Sequence, residues 1–213
     1  SHPSVCPNHH SEIQEKRYDI LIKGKEGKIM KKVAVMIADG TEEIEALTVV
    51  DVMRRANIKC DIVSINGREI KSSHNIEILA DKVIDESIKD YDMIVLPGGL
   101  PGAYNLAEDK LLIETLKEFS KDSNKYIGAI CASPAIVLSK ANIEEGKNIT
   151  SYPGKGFEDL LKKANYTENL VEVDGNIITS RGPATAMLFA YKLLDVLGHN
   201  SKEVSDGMLW NLL

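Results

Sequence analysis

The sequence lacks any apolar run near the roughly 18 residues that a bilayer-spanning helix requires, which excludes a helical membrane protein. It also lacks a basic field. Acidic residues outnumber lysine and arginine by 32 to 26, leaving a formal charge of -6, and no Lys/Arg cluster is interleaved with aromatics, so nucleic acid is not an expected partner. Cysteine is scarce: Cys6, Cys60 and Cys131 are odd in number and far apart, which argues against a disulfide framework, and no CxxC or Cys/His pair has zinc-ligand spacing. No metal is therefore expected, and a reducing cytoplasm is the default compartment. Internal repeats, low-complexity tracts and a signal-like hydrophobic region are also missing.

What is present is enough for one core. A chain of 213 residues, 43% of them hydrophobic, fits a single domain with a short appendage, because one core usually splits only beyond roughly 250 residues. Residues 1–29 are read as the appendage: they hold His2, His9 and His10, mixed charge and one brief apolar run at 18–22, without metal-site spacing. They are either a native extension or an artefact of cloning, since Met30 would serve as a start. Residues 30–213 are read as the domain.

From Lys31 onward, short β-rich apolar runs alternate with stretches of helical period. This predicts the α/β class, a doubly wound, mostly parallel sheet with helices on both faces. Strands are expected at 33–38, 58–65, 93–96, 126–130, 148–151, 171–174 and 177–180. Helices are expected at 42–57, through Leu112, Ile113, Leu116 and Phe119, at 134–141 with Pro134 in the first turn, at 157–164 and at 184–197. In the first helix Ile44, Leu47, Val50 and Met53 are read as the core face. Asn66-Gly67 reads as a hairpin turn closing the second strand, with a short antiparallel piece near Ile76-Glu77-Ile78.

In such sheets ligands bind beyond the carboxyl ends of the strands, so the loops after Ala38, Leu96, Ile130 and Ser180 should form the site. Cys131 stands between a buried strand and a helix start, where backbone N–H groups and the positive end of the dipole favour thiolate. Its small neighbours Gly128, Ala129, Ala132 and Ser133 permit the sharp turn that presents a nucleophile. The competing reading is an inert small hydrophobe. Gly98-Gly99 is either a plain tight turn or a pair whose amides can approach an oxyanion. Glu42, Glu43 and Glu45 suit a helix N-terminus with no catalytic purpose, yet Glu45 beside the apolar face could be a half-buried neutral acid that donates to the thiolate. Arg181 either orients an anion or is a solvated loop residue. His74 and His199 lie elsewhere, so no Cys–His dyad is visible, and Cys60 reads as core packing.

The segments Ala38-Asp39-Gly40-Thr41-Glu42-Glu43-Ile44-Glu45, Asp51-Val52-Met53-Arg54-Arg55, Val95-Leu96-Pro97-Gly98-Gly99, Ala129-Ile130-Cys131-Ala132-Ser133-Pro134 and Thr179-Ser180-Arg181-Gly182-Pro183 resemble, in order and spacing, the DJ-type ThiJ/PfpI superfamily. The resemblance runs from about Lys31 to Leu197 and is to the branch of the Parkinsonism-associated protein deglycase. It implies a flavodoxin-like fold, a homodimer, Cys131 as the elbow nucleophile and Glu45 as the glutamic acid hydrogen-bonded to it. It further implies that the amides of Gly99 and Ala132, with Gly98 in the same turn, occupy the oxyanion position, and that Arg54 and Arg181 lie beside the pocket near the dimer interface. Two departures matter. Tyr152 stands before Pro153 where some members place a histidine, so that imidazole base is missing; Ala132 follows the cysteine where peptidase members carry histidine, leaving cysteine peptidase as a remote option. The implied activity is a glyoxalase or deglycase that needs neither cofactor nor glutathione. It would convert 2-oxoaldehydes such as methylglyoxal, or glycated substrates, to 2-hydroxy acids through a cysteine hemithioacetal. The rival is an oxidative-stress sensor or redox-regulated chaperone, in which Cys131 is oxidised to sulfinic acid beside Glu45.

Overall fold

Strand β1 (Lys32–Ile37) is apolar from Val33 onward because both of its faces are covered, the signature of an inner parallel strand. Val33, Val35 and Ile37 enter one core layer, while Ala34, Met36 and Ala38 enter the other. The structure is a computed structural model and describes residues 30–213; the expectations for the appendage, including Cys6, His2, His9, His10 and the run at 18–22, lie outside the described residues.

After β1 come α1 (Glu43–Arg55), β2 (Lys59–Ser64), β3 (Glu69–Lys71), β4 (Glu77–Leu79), β5 (Lys82–Val83) and β6 (Met93–Leu96). Helices α2 (Gly102–Ala107) and α3 (Lys110–Ser120) lead to β7 (Tyr126–Ile130) and a π-helical turn at Pro134–Leu138. The chain continues through β8 (Asn148–Ile149), α4 (Lys155–Leu160), β9 (Asn165–Tyr166), β10 (Val171–Asp174), β11 (Ile177–Ser180), α5 (Ala186–Val196) and α6 (Ser201–Gly207). Among the described residues seven strands form the main sheet in the order β10-β11-β7-β6-β1-β2-β5, all parallel except β10. This is the flavodoxin-like α/β architecture expected. Helices α1 and α5 cover one face, with Val49, Val52, Met53, Phe189 and Leu193 in the layer; α2, α3 and the π-turn cover the other, with Leu106, Leu112, Leu116 and Val137. Each such side chain contributes roughly 1.5–3 kcal/mol on full burial, so either layer alone outweighs any single polar contact in holding the sheet. No helix among the described residues is long and apolar enough to cross a membrane.

The structure departs from the sequence reading in four places. The core face of α1 is Glu45, Ala46, Val49, Val50, Val52 and Met53, whereas Ile44 is 52% and Leu47 37% exposed. A strict three-residue spacing drifts about 60° per step around a helix of 3.6 residues per turn, so Ile44 and Met53 end on opposite sides. Gly67 has the positive φ of a turn, but no hairpin returns along β2, whose edge is taken in parallel by β5; the antiparallel ribbon is β3 with β4. The expected strand at 148–151 ends after Ile149. Thr150 instead donates its N–H to Thr179 Oγ1 at 3.1 Å, and Ser151 O receives Arg181. Finally, α2 and the polar α6, the latter capped by Asn200, carry too little periodicity to be read.

Candidate active site

The chain leaves β1 for β2 on one side and returns to β6 on the other, so the crevice outside the carboxyl ends of β1 and β6 is the switch point of the sheet. The loops after β1, β6, β7 and β11 meet there. Glu42 N–H donates to Gly98 O at 2.9 Å, Ser133 Oγ to Pro97 O at 2.5 Å, and Cys131 N–H to Ser180 O at 3.1 Å. Cys131 itself has φ +66, a left-handed conformation that a residue with a β-carbon holds only when its surroundings over-determine it. They do: its N–H is bound to Ser180 and its carbonyl accepts the Tyr152 N–H at 2.8 Å.

Gly98 is required by the approach of three segments. A β-carbon there would stand 2.6 Å from Cys131 Cβ, 2.8 Å from Glu45 Oε1 and 3.0 Å from the Ala132 nitrogen. Gly99 has φ +90, and a β-carbon on it would meet Glu42 N and Gly40 O at 2.5 Å each. The two readings of Gly98-Gly99 therefore coincide: the turn is tight, and the same tightness aims the Gly99 and Ala132 amides at the Cys131 sulfur, where both favour negative charge.

Glu45 lies on the inner face of α1 and is completely buried. Its Oε1 accepts the Gly98 N–H at 2.9 Å, its carboxyl is within hydrogen-bonding reach of the Cys131 thiol, and Oε2 is buried without a conventional partner. Burial pushes its pKa up to about 7; the Gly98 N–H and the thiol act against the rise, and the charges of Glu42 and Glu43 add to it. Burial also pushes the Cys131 thiol well above its ordinary value, with the Glu45 charge next, against the opposing amides of Ala132 and Gly99. The expectation that the helix start alone would yield a thiolate is thus corrected: desolvation outweighs the dipole. Two adjacent anions in a dry site repel strongly, so above about pH 7 the pair holds one proton between them. Two amides face the sulfur and one faces the carboxyl, so the amides partly offset the desolvation of the thiol.

At the rim, Tyr152 is half exposed, meets Phe157 edge-on at 6.1 Å and lies against Gly182. Arg181 Nε donates to Ser151 O at 3.0 Å and Nη2 to Tyr166 Oη at 2.8 Å, holding the guanidinium on the loop that carries Tyr152. Arg54 is not gathered with these residues. It lies two and a half turns along α1 from Glu45, where Nη2 reaches Cys60 O and Asp81 Oδ2 at 2.9 Å each. Cys60 is buried in the core and its thiol is pushed up to about 12 by that burial, as suits a packing residue.

Sequence reasoning missed Tyr166 and His74, both brought in from distant segments. His74, in the turn between β3 and β4, places Nδ1 2.8 Å from Glu43 Oε1 and 3.6 Å from Glu42 Oε2. These three side chains bring possible cation-ligand atoms within 4.8 Å of one another, but the contact already made is an ion pair.

Residues 31–196 match the model of the DJ-1/PfpI family. The chain is 41% identical over 166 residues to DJ-1 homolog B of Arabidopsis thaliana, covering 77% of this chain but only 37% of that protein. It is 35% identical over 182 residues to the glutathione-independent glyoxalase DJ-1 of Schizosaccharomyces pombe, covering 81% of this chain and 94% of that one. Among solved structures, oxidized Toxoplasma gondii DJ-1 superposes with a TM-score of 0.78 at 35% identity, covering 84% of this chain and 98% of that one.

Proposed function

The chain belongs to the DJ-1/PfpI family, and on that premise we propose that it is a glutathione-independent glyoxalase acting on small 2-oxoaldehydes such as methylglyoxal. The observation that carries this reading is the buried Glu45 carboxyl beside Cys131, a base-and-nucleophile pair that holds one proton between them. The thiolate adds to the aldehyde carbon, and the new alkoxide takes the proton from Glu45, giving a hemithioacetal and a carboxylate. The amides of Gly99 and Ala132 stabilise the oxygen as its charge develops. Glu45 then removes the proton from that carbon to form an enediolate and returns it to the adjacent carbon, while the hydroxyl proton passes from the first oxygen to the second, leaving a thioester. Water hydrolyses the thioester to the 2-hydroxy acid and restores the thiol. Glycated thiols and amines present the same carbon chemistry, which extends the reading to deglycation. Arg181 and Tyr152 would bound the substrate. No metal, nucleotide or thiol cofactor takes part in any of these steps.

The experiment is paired. Methylglyoxal is incubated with the protein in the absence of glutathione, and Cys131→Ser should abolish its loss while Glu45→Gln reduces it strongly. In parallel the wild type is treated with peroxide. The second reading, a redox sensor or redox-regulated chaperone, is favoured by the neutral acid beside the sulfur, which can donate to a sulfinate; it requires a peroxide-dependent mass gain on Cys131 with negligible turnover. The exposed Ile44 and Leu47 on α1 support a homodimer seam along that helix, with Arg54 further along the same helix.

A further inference from the structure

We infer that His74 is a positioning residue: from the β3–β4 turn it sets the charge at the start of α1, and through that charge it decides how readily the Glu45–Cys131 pair gives up a proton. The inference rests on the reading of that pair given above.

The β3–β4 turn is fastened to the loop that precedes α1. Gly40 N–H donates to Lys71 O at 2.8 Å, Ser73 N–H to Thr41 O at 2.9 Å, and Lys71 N–H to Asp39 Oδ1 at 2.9 Å. That loop is in turn fixed to the site through Glu42 N–H and Gly98 O. His74 therefore does not wander over the surface, although its side chain is 66% exposed: Nδ1 is 2.8 Å from Glu43 and 3.2 Å from Ser73 Oγ. Its charged partners are Glu43 and Glu42, and its hydrogen bond to Glu43 comes first in raising its pKa above the ordinary histidine value. Burial opposes the charge on Glu43, but its own backbone N–H and His74 prevail and hold it below the ordinary range.

Glu45 sits two residues further along the same helix. The titratable groups facing it are Cys131, Glu42 and Glu43, and the two glutamates make its proton harder to remove. A cation at residue 74 offsets those two charges. A neutral side chain there leaves them uncompensated. Both proton losses of the pair should therefore move together: down in pH with a permanent positive charge at 74, and up with a neutral group.

The test is the pH dependence of Cys131 carboxamidomethylation by iodoacetamide, followed on the Cys131 peptide by mass spectrometry, in wild type, His74→Lys, His74→Gln and Glu45→Gln. The midpoint should fall in His74→Lys and rise in His74→Gln. The two variants should differ by on the order of 0.3 pH unit, the effect of one exposed charge at roughly 10 Å in water, with wild type between them, and the difference should narrow in high salt. A purely structural role for His74 would move both variants in the same direction or neither, and either result overturns the inference. If Glu45→Gln also leaves the profile unchanged, the underlying reading of the pair fails; if Glu45→Gln alone moves it, only the role of His74 does.

Discussion

Glu45 Oε1 accepts the Gly98 N–H at 2.9 Å across 53 residues of sequence, and this bond turns the carboxyl of the first helix toward the sulfur of Cys131. A buried acid oriented in this way has a measurable consequence for stability. The ordinary carboxyl value is 4.5, whereas in the fold the Glu45–Cys131 pair first releases a proton near 7, so the favourable contribution is complete below pH 4.5 and is lost as pH rises through 7. The difference amounts to about 3 kcal/mol. Urea unfolding at acid and at mildly alkaline pH should show wild type losing stability relative to Glu45→Gln by roughly that amount; parallel pH dependences would contradict the assignment.

Gly98→Ala should damage the site from within. The added methyl meets Cys131 Cβ at 2.6 Å, and neither it nor the adjoining backbone can yield as a flexible side chain would. Overpacking of this kind costs about 1–3 kcal/mol. Unfolding should register that loss, and turnover should fall at least about tenfold, since displacements of roughly 1 Å at reacting groups can cost about a hundredfold.

On the proposed reading Tyr152 bounds the pocket and donates no proton. Its ring packs edge-on against Phe157, and its backbone N–H, unaffected by side-chain substitution, holds Cys131 O. Tyr152→Phe should keep kcat/KM within about twofold, because only the hydroxyl is removed, whereas the loss of a catalytic proton donor typically costs about a hundredfold or more. A steady-state comparison on methylglyoxal separates the two.

Ile44→Asp combined with Leu47→Asp should leave the fold intact, since both side chains are substantially exposed and surface changes usually stay within about 0.5 kcal/mol per site. Sedimentation should show the wild type as a dimer and the double variant as a monomer. A dimer that survives the double substitution contradicts the seam along α1.

The sheet was legible because its inner strands are buried on both faces and therefore read as unbroken apolar runs, as in Val33 to Ile37 and Met93 to Leu96. Cys131 and Gly98-Gly99 were legible for a related reason, each closing such a run with small residues. The orientation of α1 was not. Glu45 is polar by type and inner by position, so a hydrophobicity pattern assigns it to the wrong side and promotes Ile44 in its place. Contacts such as His74 with Glu43 or Arg181 with Tyr166 depend on where the β3–β4 and β8–β9 segments cross the end of the sheet, and no local spacing encodes that crossing. Within one protomer the Arg54 guanidinium is engaged by Cys60 O and Asp81 at the opposite end of the helix from Glu45, and no spacing in the sequence encodes that pairing.

The most direct measurement is the ultraviolet thiolate absorbance of Cys131, taken as wild type minus Cys131→Ser across neutral pH; Cys60, pushed up to about 12, stays silent there. With one proton shared and two amides aimed at the sulfur, the thiolate band should rise with a midpoint near 7, where the pair first releases a proton. A proton lost near that pH without any thiolate band would mean that the charge settles on Glu45 instead, and the proposed nucleophile would not exist.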